Sequence, residues 1–154
     1  MQTVRMKNTA KGILLQDEKV LFLRKEYSDG RVVYTLPGGT QEAGEPLEET
    51  AIREVWEEVG ARVKVLSLQK VYEHQRPSKS DPEMVKYKVE FAFLCELLES
   101  YVPHNGIHPD PSQAGVEWLA LAELDNKVLD PLPLAEILQE ILQDSGSCYH
   151  NLTA

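Results

Sequence analysis

Cysteine is scarce: Cys95 and Cys148 are the only two in 154 residues. Their number and spacing exclude a disulfide framework and a cysteine-based zinc site. No run approaches the length of apolar sequence that a membrane-spanning helix needs. The first residues also lack the charged region and apolar core of a secretory leader, so a cytoplasmic location is expected. Positive charge is in deficit, with 16 Lys and Arg against 25 Asp and Glu and a net charge of −9. Nonspecific nucleic-acid binding depends on a basic surface and is not expected. The chain as a whole repels anions, so an anionic substrate would need local cations or a metal ion to hold it. Internal repeats and low-complexity segments are absent.

What remains is an ordinary globular composition, 42% apolar and 27% charged. The length suits one domain with a real core, read as residues 1–144 with a polar tail over 145–154. The tail is expected to be mobile. Cys95 reads as a small buried residue in an apolar strand.

The most informative segment is GGTQEAGEPLEETAIREVWEEVGA, residues 38–61. Pro46 suits a first helical position, which puts Glu45 at the cap and Glu48 and Glu49 in the first turn, where the helix dipole favours negative charge. Gly60 is a stop signal. Ala51, Ile52, Val55 and Val59 form one stripe at helical spacing and are expected to be buried. Glu54, Glu57 and Glu58 share an adjacent face. Like charges at these spacings repel by a few tenths of a kcal/mol per pair. Three glutamates alone would read as a solvated acidic face. The paired glycines, the proline-led start, Arg53 and the closing glycine instead agree on a cation site, and the natural occupant is a divalent ion working on phosphate.

Gly39, Glu45, Arg53, Glu54, Glu57, Glu58 and Gly60 stand at the spacings of the Nudix box, which runs here from Gly39 to Ala61. Every charged and glycine position is present, and Ala61 is smaller than the usual aliphatic. Leu36-Pro37-Gly38 before the box and Glu117-Trp118-Leu119 after it agree more loosely. The chain therefore resembles a Nudix hydrolase over most of its length. The resemblance implies an α/β fold, a Nudix-type α/β/α sandwich with a central mixed β-sheet. It implies a pyrophosphohydrolase in which water attacks phosphorus of a nucleoside diphosphate linked to another moiety, with Mg²⁺, or Mn²⁺, as cofactor. Glu57 and Glu58 would be metal ligands, Glu54 a further ligand or the group that orients water, and the Gly38 carbonyl would complete the shell. Arg53 and Glu45 would tie loop to helix through an ion pair. The alternative is a catalytically silent nucleotide-sensing or partner-binding module. Such relatives usually lose a box glutamate, and this chain has lost none.

Outside the box, Ala10–Leu15 and Lys19–Arg24 read as a hairpin around a polar Gln16-Asp17-Glu18 turn, and Val32–Leu36 as a strand into the glycine loop. Arg62–Tyr72 reads as a half-buried strand whose phase slips between Val65 and Leu66, the mark of a bulge. His74–Glu83 reads as a loop carrying Arg76, Lys79 and Asp81, a candidate substrate lid. Met84–Leu97 is a long strand, Glu99–Ser112 a loop, and Val116–Leu119 a short strand. Ala122–Leu124 reads as a single helical turn, and Leu134 to Leu142 as a final helix. Strands mixed with two main helices suit layered α/β architecture.

Arg24 is a candidate phosphate contact, since its planar fork donates two bonds at once, whereas Lys25 is expected to point outward. Tyr34 could stack on a base or pack beneath the glycine loop. Trp118 reads as a core anchor. Many Nudix enzymes recruit a distal general base, and Asp110, Glu117 and Glu99 are open for that part. His74 could face the pocket. The substrate within the class (nucleoside triphosphate, ADP-ribose-like compound or nucleotide sugar) and the choice between monomer and homodimer are left open.

Overall fold

The chain is described by a computed structural model over residues 3–78 and 80–153. Its elements run β1 (Thr3–Gln16), β2 (Lys19–Glu26), β3 (Val32–Thr35), β4 (Gly38–Thr40), α1 (Leu47–Val59), β5 (Val63–Pro77), β6 (Met84–Leu97), β7 (Gln113–Ala120), a 3-10 turn (Leu121–Asn126), α2 (Leu134–Leu142) and β8 (Tyr149–Asn151). β1 runs parallel to β6 and antiparallel to β4, while β5 is antiparallel to β6. β2 lies between β3 and β7, antiparallel to both, and meets β1 at the hairpin. Asp17 and Glu18 close that hairpin with φ of 52° and 63°, the left-handed pair that a two-residue turn requires.

The sheet is mixed and covered on both faces. Ala10, Leu14, Leu21, Leu23 and Phe93 pack against Ala51, Val55 and Val59 of α1. Ile13, Val20, Phe22, Leu36 and Ala92 pack against Leu134, Ile137 and Leu138 of α2. Burial on both sides explains why β2 reads as an unbroken apolar run rather than an alternating one. A Cβ on Gly12 would stand 2.7 Å from Val55 Cγ2, so α1 sits directly on β1. Each fully buried valine or leucine contributes roughly 1.5–3 kcal/mol. The α/β sandwich expected from the sequence is the observed fold.

Several boundaries differ from expectation. Pro46 is the residue that caps α1, not its first turn, with φ −64° and ψ 146°. Gly60 ends the helix in the left-handed region at φ 68°, its N–H donating to the Trp56 carbonyl. Ile52 is 38% exposed, so the buried stripe is Ala51, Val55 and Val59. β5 continues through His74–Pro77, where proline and polar residues read as loop, because β6 pairs with it as far as Pro77↔Val85. The expected lid shrinks accordingly, and Lys79 lies outside the described residues. Register shifts at Val65/Ser67 and Leu68/Lys70 place one bulge at the expected phase slip and a second beyond it. The polar segment after residue 144 is not a free tail. β8 pairs parallel to β5 through Val71↔Tyr149 and Tyr72↔His150. The half-buried Glu140 carboxylate receives the Lys70 ammonium, at 2.9 Å, and the His150 ring, also at 2.9 Å. No helix among the described residues is long and apolar enough to cross a membrane.

Candidate active site

The glycine loop and α1 are brought together by backbone approach. β4 pairs with β1 through Lys11↔Gly38 and Ala10↔Gly39. A side chain at Gly38 would meet the Ala10 carbonyl at 2.2 Å, and its φ of 153° is one that L side chains rarely adopt. A Cβ at Gly39 would fall 2.5 Å from the carboxyl carbon of Glu54, so the missing side chain is the space the carboxylate fills. Gly38 N–H donates to Glu58 Oε1 at 2.7 Å.

Arg53 organises the rest. Its Nε donates to Glu45 Oε2 at 2.7 Å and its Nη2 to Glu45 Oε1 at 3.0 Å, the two-pronged geometry that makes arginine–carboxylate pairs strong. Nη1 reaches Glu54 Oε1 at 2.8 Å and Glu57 Oε2 at 3.1 Å, and Nη2 also reaches the Thr40 carbonyl at 3.1 Å. Glu45 accepts in addition from the Thr50 hydroxyl at 2.7 Å. The Arg53 bonds, joined by Thr50 and the Glu42 N–H, hold the Glu45 carboxyl down at about 2.

Glu58 is 5% exposed. Burial pushes its carboxyl up to about 7, with Glu54 and Asp110 adding to the rise and Lys11 and the Gly38 N–H opposing it. Glu54 is raised too, first by burial and then by Glu57, against the pull of Arg53 and Lys11. Negative charge is thus held here out of water and without full compensation, an environment that favours a bound cation. Glu54, Glu57 and Glu58 offer only carboxylate oxygen, the donor type of a hard divalent ion. As placed they do not converge on one point, and among the described residues no three acidic, histidine or cysteine side chains do so. The bonds from Arg53 and Gly38 are those an ion would compete with. The donor chemistry and the charge of the site fit a divalent cation.

The other sequence candidates divide between the two faces of the sheet. Arg24 lies on the α2 side. It is tied to Glu117 Oε2 at 3.1 Å and to Glu26 Oε1 at 3.2 Å, so it is not a free phosphate contact. Tyr34 is 6% exposed within the α2-side core, which assigns it to packing. Lys25 does not point outward. Strand alternation carries it to the α1 side, where its ammonium meets Asp110 Oδ2 at 3.3 Å. Of the three distal acids, Asp110 is the one whose charge is felt by Glu58, while Glu117 is held by Arg24 and Glu99 lies at the surface beside Arg62, at 3.7 Å.

Sequence reading missed Lys11 and Glu90. Lys11 Nζ lies 3.4 Å from the Leu36 carbonyl and 4.0 Å from Glu90 Oε1. Glu90 is 3% exposed, yet its carboxyl falls to about 2 because Lys11, His74 and Lys88 outweigh its burial. His74 Nε2 stands 3.2 Å from Glu90 Oε2, although without hydrogen-bond geometry. The available signal was a charged residue inside each of two apolar strands, AKGILL and VEFAFLC, since a buried polar group is the informative exception.

The segment between β6 and β7 also has a function that composition hid. It satisfies the end of α1. Gly106 N–H donates to the Glu58 carbonyl at 2.8 Å, His108 N–H to the Glu57 carbonyl at 2.8 Å, and the Tyr101 hydroxyl to the Val59 carbonyl at 2.6 Å. Gln113 Nε2 adds a bond to the Glu58 carbonyl at 2.8 Å. The last carbonyls of a helix have no partner within it, so this segment fixes the backbone that carries Glu57 and Glu58.

The chain belongs to the Nudix family: the NUDIX domain matches residues 6–144. It is 32% identical over 87 residues to an ADP-ribose pyrophosphatase of Methanocaldococcus jannaschii, a match covering 56% of this chain and 48% of that protein. The chain thus spans about half the length of that relative. A NUDIX hydrolase structure from Nitrosomonas europaea superposes with TM-score 0.70 at 23% identity, covering 97% of this chain and 80% of the other. An ADP-ribose pyrophosphatase from Streptococcus suis superposes with TM-score 0.62 at 22% identity, covering 94% and 98%. These structures share the fold.

Proposed function

We propose that this protein is a divalent-metal-dependent pyrophosphohydrolase that cleaves a nucleoside diphosphate linked to another moiety by water attack at phosphorus. The observation that carries the reading is the intact carboxylate set, Glu54, Glu57 and Glu58, fixed on one helix face against two glycines. Glu57, Glu58 and Glu54, with the Gly38 carbonyl, would hold Mg²⁺ or Mn²⁺. When bound, such an ion neutralises the diphosphate and lowers the pKa of a coordinated water.

The chain's own residues supply the positioning. Arg53 and Glu45 lock the loop to α1, so that the carboxylates keep their spacing. Glu54, lying against the Gly39 backbone, orients the attacking water and receives its proton. Asp110 is the distal base candidate, held towards this side of the sheet by Lys25. The ADP-ribose pyrophosphatase relative supports an ADP-ribose-like substrate as the first to try, with nucleoside triphosphates and nucleotide sugars beside it. A cytoplasmic location accords with this substrate class.

The test is a colorimetric phosphate assay on a nucleotide panel, with a coupled phosphatase (and pyrophosphatase) to release phosphate from the products, using purified protein with Mg²⁺ or Mn²⁺ alongside Glu57→Gln. Turnover on at least one substrate is expected. Glu57→Gln should lower the rate by several orders of magnitude at unchanged melting temperature. Inactivity on the whole panel with both metals, or a near-normal rate in the variant, would overturn the reading. Tight nucleotide binding without product would favour a silent sensing module.

A further inference from the structure

A chain with a net charge of −9 repels a diphosphate, so any cation that stands beside the carboxylates and is not already engaged is a candidate to meet it. Most of the basic side chains around the glycine loop are engaged. All three nitrogens of Arg53 are spent on Glu45, Glu54, Glu57 and the Thr40 carbonyl. Lys25 meets Asp110 at 3.3 Å, and Arg24 lies between Glu117 and Glu26. Lys11 differs. An ammonium has three donors, and among the described residues Lys11 Nζ makes one hydrogen bond, to the Leu36 carbonyl at a long 3.4 Å. Its carboxylate neighbour, Glu90 Oε1, stands at 4.0 Å, the outer edge of an ion pair. Glu90 must also answer His74 at 3.2 Å and the charge of Lys88.

The loop that receives the carboxylates also places Lys11. Lys11 pairs with Gly38 across β1 and β4. A side chain at Gly38 would lie 2.7 Å from Lys11 Cδ, so the glycine makes room for the lysine stem. Nζ then rests on the Leu36 carbonyl, while the Gly38 N–H holds Glu58 Oε1 at 2.7 Å. Two residues of backbone separate those anchor points, at most about 7 Å of chain, the scale of a diphosphate group. Burial raises the Glu58 carboxyl, and the charge of Lys11 is the largest influence against it; Glu54 feels Lys11 too. The bond to Leu36 is not what holds the loop, because Gly12 N–H donates to the Pro37 carbonyl at 2.9 Å and β4 is paired with β1. The Lys11 side chain is 12% exposed, a largely buried cation that keeps an opening to solvent. A buried charge without full pairing is costly, and a phosphate oxygen would complete it.

We infer that Lys11 is a direct contact of the substrate diphosphate, its ammonium donating to a non-bridging phosphate oxygen across the glycine loop from the carboxylates. The inference rests on the hydrolase reading for the diphosphate itself. Lysine serves phosphate as a compact point charge, and a fixed cation here meets the charge that develops on the diphosphate as water attacks. Glu90 orients Lys11 from behind without quenching it, since its single charge is shared with His74 and Lys88.

The experiment is calorimetric titration of α,β-methylene-ADP, whose bridge water cannot split, and of AMP, both with Mg²⁺, on the wild type and on Lys11→Met. Methionine keeps an unbranched apolar stem in place of the lysine's and removes the charge. The methylene diphosphate should bind the wild type about tenfold or more tightly than AMP, the low end for a hydrogen bond to a charged group. In Lys11→Met that advantage should fall to within about twofold. Titration of Mn²⁺ alone separates contact from scaffolding. A lysine that only shaped the loop would take metal affinity down together with diphosphate affinity, whereas loss of a neighbouring cation should leave Mn²⁺ bound at least as tightly as before. Lys11→Met combined with Glu90→Gln removes both members of the buried pair; it should show the same loss, and it serves where the single variant does not fold. Equal affinity of the wild type for the two probes, an advantage that survives in either variant, or a joint fall of Mn²⁺ and diphosphate affinity would overturn the inference. None of these titrations depends on turnover, so failure of the hydrolase reading is seen separately, in the phosphate assay.

Discussion

Arg53 grips Glu45 with two nitrogens, Nε at 2.7 Å and Nη2 at 3.0 Å, while its third nitrogen faces Glu54 and Glu57. One planar side chain therefore sets both the start of the helix and the position of two candidate metal ligands. Lysine has the charge but not the fork. Arg53→Lys should lower the hydrolysis rate by at least tenfold and cost about 1.5–3 kcal/mol of stability, the range for hydrogen bonds to charged groups. Rate measurements with urea unfolding of the same preparation check both.

The same pair gives an acid limb to stability. Glu45 is depressed from 4.5 to about 2 in the folded chain. A carboxyl whose pKa falls on folding binds more protons when unfolded, so its contribution is present above pH 4.5 and is lost as pH falls towards 2. Wild-type stability should drop more steeply than that of Glu45→Gln across this interval. Melting temperatures of the two proteins at half-unit steps from pH 5 to pH 2.5 measure the difference, and parallel curves would contradict the ion pair.

Two glycines should respond differently to alanine. At Gly39 the added methyl meets the Glu54 carboxylate, the far end of a flexible side chain. The fold can yield there but the chemistry cannot, so Gly39→Ala should lower the rate about 100-fold, the scale of a 1 Å misplacement, with little change in melting. At Gly106 the methyl would lie 2.4 Å from the Glu57 carbonyl oxygen, which is backbone. Gly106→Ala should cost about 1–3 kcal/mol through overpacking and detach the segment that closes α1.

Removal of residues 148–154 should uncover the edge of β5. The bonds from Val71 N–H to the Cys148 carbonyl and from Leu152 N–H to the Glu73 carbonyl, both 2.8 Å, would be lost with β8. At about 1 kcal/mol net per hydrogen bond, the truncated chain should melt several degrees lower. Its bare edge should also promote association, visible as a concentration-dependent shift in gel filtration.

The box helix was legible because its signals are local: a proline and a glycine delimit it, and 3.6-residue spacing fixes which side chains share a face. Arg24 and Lys25 were assigned to the wrong environments for the opposite reason. Adjacent residues of a strand point to opposite faces, and only the partners on β7 and in the segment before it say which face holds which charge. The extension of β5 to Pro77 and the docking of β8 were hidden likewise, since backbone pairing can stabilise a polar strand that composition reads as loop.

The sequence by itself determined the carboxylate spacing on α1, the glycines the chain needs for close approach, and the two-faced apolar pattern of β2, because each depends on covalent geometry over a few residues. Tertiary structure decided that Lys11 and Glu90 face each other, that of the three distal acids Asp110 is the one whose charge reaches Glu58, and that Arg5, Lys7, Lys86 and Lys88 gather on one face. The first and last of these depend on the register between β1 and β6, strands separated by 67 residues between Gln16 and Met84, and the second on the pairing of β2 with β7; no local propensity encodes either alignment.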